Sequence, residues 1–207
     1  MAALTTKELK CLLDCFVVNS TRVLGVFPAN FMPVQSTLGA KDSCFILNTD
    51  PGDAPGEHWL AFYYNSNTHK LEYFDSFGFP VTYYHHVNDV LHANHLSSIC
   101  MPVNSSGSLQ SVQTAVCGHY CVMYLYWRAQ HLNSPARLFA HSVVSSHNNP
   151  VQRDRLVVAS LKNLSNRHPC CNALLGGLRS TRTSAASEPF TSQSCCCSNA
   201  RRSCTHI

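Results

Sequence analysis

A cysteine and a glycine stand side by side at residues 117 and 118, with glutamines upstream at Gln110 and Gln113 and an apolar run, Val122 to Trp127, downstream. A run that is apolar on nearly every face belongs inside a core as a helix. Cys117 then lies in its first turn, near the positive end of the helix dipole, where thiolate is favoured over thiol. A lone cysteine is more often a small core hydrophobe, so a nucleophile needs partners from elsewhere in the chain. A hairpin supplies them. "HWLAFYY" and "HKLEYF" are β-rich runs flanking the turn-prone "NSNT". If residues 65–68 form the loop, Tyr64 faces His69 and His58 faces Asp75 directly, with Cβ atoms about 4.5–5.5 Å apart. The carboxylate would then orient the imidazole and hold its tautomer, the third-member role in nucleophilic triads. His119 is nearer to Cys117 in sequence, but residues two apart on a helix do not face each other. Gln110 can fold back to aim its amide N–H at a developing oxyanion, with the backbone N–H of Cys117 as a second donor. Gln113 is the alternative donor, and Gly118 is expected to keep the approach to the sulfur open.

The elements that must position these groups follow from local pattern. Thr5 and Glu8 form a capping-box pair ahead of Leu9, Leu12, Leu13 and Phe16 at helical spacing, predicting an amphipathic helix over residues 5–16. Loops are expected around "GVFPANFMP", then a strand at "SCFILN", then the hairpin. Residues 81–97 carry His85, His86, His92 and His95 and read as a helix with polar histidines. Residues 98–116 read as loop and strand, 117–131 as the core helix and roughly 134–168 as two further helices. From about residue 172 the chain is rich in Ser, Thr and Arg with little to bury, and disorder is expected. The division is one domain over 1–171 and a tail over 172–207.

Composition narrows the classes. With 207 residues, one domain with a sizeable core is expected. No stretch of about 18 apolar residues suits a membrane span, and "MAALTTKELKCLLDCF" does not read as a secretory signal. There are twelve cysteines but no CxxC, and consecutive cysteines chelate poorly, so a zinc-binding structural protein is disfavoured and no metal is expected. Residues 1–127 carry five basic and nine acidic side chains, whereas residues 128–207 carry ten and two. That surplus suggests a polyanion partner.

The segments "ELKCLLDC", "CFILNTD", "GEHWLAFYYN", "KLEYFDSFGFP" and "LQSVQTAVCGHYC" resemble, in order from about residue 4 to 165, the adenovirus maturation protease (adenain) family and related cysteine proteases of DNA viruses and virus-like transposons. The resemblance implies an α+β fold, a mixed β-sheet packed against a buried central helix that carries the nucleophilic cysteine. It implies that His58 is the catalytic histidine, Asp75 its acidic partner, Cys117 the nucleophile and Gln110 the oxyanion glutamine. The adenoviral acid is often glutamate, so aspartate shortens the reach. The segment from Gln-Ser to Cys117 aligns only with a gap, which keeps Gln113 in play.

Family cofactors implied are viral DNA and a short viral peptide that forms a disulfide with the protease, here with Cys100. Arg128, Arg137, Arg153, Arg155 and Lys162 suit a DNA-backbone contact without sequence readout. Expected substrates are viral precursor proteins, within the virion and the host cell nucleus, with no membrane partner. The rival readings are a deconjugase of SUMO- or ubiquitin-like modifiers and a catalytically idle DNA-binding virion protein.

Overall fold

The computed structural model describes residues 1–17, 21–33, 35–39, 41–104, 107–131, 134 and 136–168. The expected tail, 172–207, lies outside them. Thr5 caps the first helix, α1 (Thr6–Phe16), through the expected capping box. The Thr5 N–H donates to Glu8 Oε2 at 2.7 Å and the Glu8 N–H to Thr5 Oγ1 at 3.3 Å. There follow β1 (Arg22–Phe27), α2 (Gln35–Leu38), β2 (Ser43–Asn48), β3 (Trp59–Asn65), β4 (Lys70–Phe74), α3 (His85–Ala93) and β5 (Cys100–Pro102). Three helices complete the described chain: α4 (Cys117–Gln130), α5 (Arg137–Ser146) and α6 (Pro150–Asn166). The histidine-rich segment is therefore helical, as expected.

The strands form one mixed sheet in sequence order, parallel at β1–β2 and β4–β5 and antiparallel between. Alternation along the central strands fills two cores. Cys44, Ile46, Ala61, Tyr63 and Phe74 face α1 and α4, while Phe45, Leu47, Leu60, Phe62, Leu71 and Tyr73 face Val87 and Leu91 of α3. A strand covered on both faces has no polar side to show, which is why "SCFILN" is apolar without alternation. Helix α4 is enclosed by β3, α1, α5 and α6, so its run of large apolar residues is satisfied on all sides.

Two expectations need correction. Strand β1 occupies part of the segment expected to be loop. Gly25, with φ +147°, sits at a register shift between Val23 and Gly25 in this edge strand, so the glycine marks a bulge rather than an end. The hairpin register also differs. Asn65 pairs with Lys70 and Tyr64 with Leu71, so His58 and Asp75 are not directly opposite. The loop begins one residue later than expected because Asn65 stays in the strand. Its side-chain oxygen accepts the N–H groups of Asn67 and Thr68, and His69 takes the left-handed conformation, φ +52°. The displacement is two positions, so every side chain keeps its face.

Candidate active site

His58 immediately precedes β3 and Asp75 immediately follows β4, so adjacent strand ends deliver both to one edge of the sheet. The His58 Nε2–Asp75 Oδ1 distance is 2.6 Å, and Asp75 is 1% exposed. The turn after β4 holds that carboxylate. Gly78, at φ +74°, donates its N–H to the Asp75 carbonyl, while the N–H groups of Phe77 and Phe79 donate to Oδ1 and Oδ2 at 3.0 and 2.9 Å. A Cβ on Gly78 would lie 2.8 Å from the Gly107 carbonyl oxygen, so only glycine fits that turn. The Tyr84 hydroxyl donates to Oδ2 at 3.1 Å and Asn104 Nδ2 to the Asp75 carbonyl at 2.7 Å. Phe77 and Tyr84 stack on the His58 ring, with centroids 4.8 and 5.8 Å away.

Cys117 opens α4 and is 6% exposed. Its side chain lines the same cleft as His58, close enough to act on the imidazole. Burial alone would lower the pKa of this imidazole. The hydrogen bonds to Asp75 and Cys117 and their charges overcome that and raise it to about 9. His119 is pushed the other way, to about 4, by burial and then by the charges of Lys162 and the N-terminus, and its Nδ1 has no partner. It is a buried neutral histidine on another side of the helix.

Gln110 is buried. The Ser76 hydroxyl donates to its Oε1 at 2.8 Å, which turns Nε2 toward the Thr114 carbonyl, 2.6 Å away. Gln113 is exposed. A cleft of about 380 Å³ is lined by His58, Cys117, Gln110, Phe77, Trp59 and the chain start, Ala3 to Thr6. The structure thus brings His58, Asp75, Cys117 and Gln110 together and leaves Gln113 out. Gly118 does not serve access as expected. It is buried, and a Cβ there would lie 3.1 Å from Leu9 and 3.3 Å from Leu4, so its absence lets α1 approach α4.

Cys100, on β5 beside Leu71, is a free, half-buried thiol whose pKa burial pushes up to about 12. Two of the arginines expected to meet DNA are internal. Arg128 forks onto Glu72 at 2.7 and 2.9 Å and lies 4.7 Å over the Tyr63 ring, while Arg153 donates to the carbonyls of Leu109, Ser108 and His147. Arg137, Arg155 and Lys162 remain exposed. Sequence reasoning missed Ser76, Tyr84 and Asn104. Ser76 lies inside the quoted "FDSFGF" turn, but its partner is far along the chain. Among the described residues, no group of three or more His, Cys, Asp or Glu side chains is arranged to hold a metal, and no helix is long and apolar enough to cross a membrane.

A thiol, an imidazole and a buried carboxylate in line, with an amide beside them, define the class of a cysteine-hydrolase-type site on an α+β scaffold. The family model described as adenovirus endoprotease matches residues 23–168, and the chain belongs to that family. It is 34% identical over 111 residues to the protease of human adenovirus B serotype 3, covering 50% of this chain and 52% of that protein. It is 28% identical over 160 residues to the protease of porcine adenovirus A serotype 3, covering 72% and 76%. The chain spans about half the length of the human adenovirus relatives it matches. A solved structure, ChlaDub1 from Chlamydia trachomatis, overlays with a TM-score of 0.48 at 13% identity, covering 86% of this chain and 95% of that one.

Proposed function

We propose that this protein is a viral cysteine endopeptidase that cleaves virion precursor proteins during maturation. The observation that carries the reading is the His58–Asp75 pair, 2.6 Å apart, with His58 and Cys117 lining one cleft, in a chain of the adenovirus endoprotease family. The Cys117 sulfur attacks the substrate carbonyl carbon, forming a C–S bond. His58, which holds its proton up to about pH 9, passes it to the amine as the C–N bond breaks. A water molecule then gives a proton to His58 and hydrolyses the thioester. Asp75 fixes the ring through Nε2, and Gln110 with the Cys117 N–H stabilises the oxyanion.

The proposed sites of action are the virion and the host cell nucleus. Duplex DNA, met by exposed cations such as Arg155 and Lys162, and a peptide disulfide-linked to Cys100 are proposed activators. The test is peptide cleavage together with thiol-probe mapping. Cys117→Ala should abolish cleavage with the fold intact, and the probe should label Cys117. Cleavage that survives, with label on Cys100 or Cys121, would refute the assignment.

A further inference from the structure

One buried carboxylate lies outside the segments that carry the proposed catalytic groups yet touches what holds two of them. Asp154, on α6, is fully buried. Its Oδ1 accepts the Tyr120 hydroxyl at 2.9 Å, and its Oδ2 accepts the Thr114 hydroxyl at 2.6 Å and the Ser111 N–H at 3.2 Å. Tyr120 belongs to α4, the helix opened by Cys117. Ser111 and Thr114 belong to the loop that carries Gln110, and the Thr114 carbonyl is the acceptor for Gln110 Nε2. One side chain therefore fastens the amide-bearing loop to the thiol-bearing helix, using three donors from the two elements.

We infer that Asp154 is a positioning residue for the oxyanion site, setting the distance between the Gln110 amide and the Cys117 backbone N–H through Thr114. The inference rests on the proposed oxyanion role of Gln110. The described residues between β5 and α4 carry no helix or strand, so side-chain anchors must fix the part that bears Gln110. Arg153 adds grip by donating to the carbonyls of Leu109 and Ser108, and its other two bonds go to His147 and Asn148 rather than to Thr114 or α4. The Gln110 backbone is held separately, by its N–H to the Ser76 carbonyl at 3.1 Å. Asp154 thus acts on the residue that accepts the side-chain amide N–H, while Ser76 holds the amide oxygen. An oxyanion donor acts in the transition state, so loosening it should lower kcat and spare KM.

The test uses the full chain with Asp154→Asn, Thr114→Val, Thr114→Ser and Gln110→Ala, measured for kcat and KM on one peptide and for the rate of Cys117 alkylation by iodoacetamide. Asp154→Asn and Thr114→Val should lose on the order of 10²-fold in kcat, since misplacement by about an ångström costs that much, with KM and alkylation unchanged. Thr114→Ser keeps the hydroxyl and should retain wild-type kcat. Combining Asp154→Asn with Gln110→Ala should fall no further than Gln110→Ala alone, because both act on one donor. If Asp154→Asn does not fold, Thr114→Val decides the matter. If Gln110→Ala is crippled while Thr114→Val and any folded Asp154→Asn cleave normally, this inference fails and the proposed function stands. If Gln110→Ala cleaves at the wild-type rate, the oxyanion role fails and takes the inference with it.

Discussion

Replacing Asp75 by Asn tests the site through its pH profile. The unperturbed imidazole titrates near 6.5 and His58 at about 9. At about 1.4 kcal/mol per pH unit, that difference is roughly 3 kcal/mol of preference for the imidazolium. Burial opposes the preference, so the gain comes from Asp75 and Cys117. Asn keeps the shape but removes a charge from a site 2.6 Å away. The proton on His58 should then be lost near or below 6.5. At pH 8 an imidazole titrating at 9 is about 90% protonated and one at 6.5 about 3%, so protonation alone predicts a fall of about 30-fold in kcat/KM there. Near pH 5.5 both forms are mostly protonated, and the difference should shrink to what lost orientation costs. The assay is kcat/KM from pH 5 to 10, with the alkylation rate of Cys117 followed in parallel. An alkaline limb that stays near 9 in Asp75→Asn would refute the reasoning. Stability follows the same sign. The folded pKa lies above the unfolded one, so the stabilisation is complete below about 6.5 and lost as pH rises through about 9.

Gln110→Ala should lower turnover by ~10²–10³ and Gln113→Ala hardly at all, measured as kcat on one peptide; the reverse order would exchange their roles. Arg128→Ala should cost about 3 kcal/mol in urea unfolding, because the largely buried Glu72 carboxylate loses its guanidinium partner and keeps the Tyr124 hydroxyl as a donor. That loss should persist at high salt, unlike the loss from an exposed pair. Arg155→Glu with Lys162→Glu should weaken duplex DNA binding equally for unrelated sequences and flatten its salt dependence, read by fluorescence anisotropy. Wild-type protein that ignores DNA at low salt would remove DNA as an activator.

The pairing of His58 with Asp75 was legible although the register was misread. A two-position displacement preserves the face of every side chain, and both residues sit where strands end, so the diagonal reach of imidazole and carboxylate closes the gap. The capping box, the core helix and the strand at "SCFILN" were legible because each is a local pattern. Strand β1 was not, since a glycine at a bulge looks the same in sequence as a glycine that ends a strand. That Gln110 lies buried in the cleft while Gln113 is exposed was not legible, because Ser76, which holds the Gln110 amide, is 34 positions away. Asp154 and the burial of Arg128 and Arg153 were invisible for the same reason. Their meaning depends on which distant carbonyls and hydroxyls the fold brings within reach, and a charge count assigns such residues to the surface by default.

The cleft wall made by Ala3 to Thr6 is tied to the domain differently from the rest of the site. Besides the burial of Leu4, it is fastened by the Thr5–Glu8 cap, the Leu9 N–H to the Thr5 carbonyl at 2.9 Å and the Trp59 indole N–H to the Leu4 carbonyl at 3.2 Å. A segment ahead of a helix that is held by few bonds opens at temperatures where the core is still whole. Warming should therefore widen the cleft before it unfolds the protein. KM would climb first, with kcat still rising, and the temperature of best performance at low substrate would fall below that at saturation. Weakening the cap with Thr5→Ala would move that low-substrate optimum downward and leave the saturated one in place.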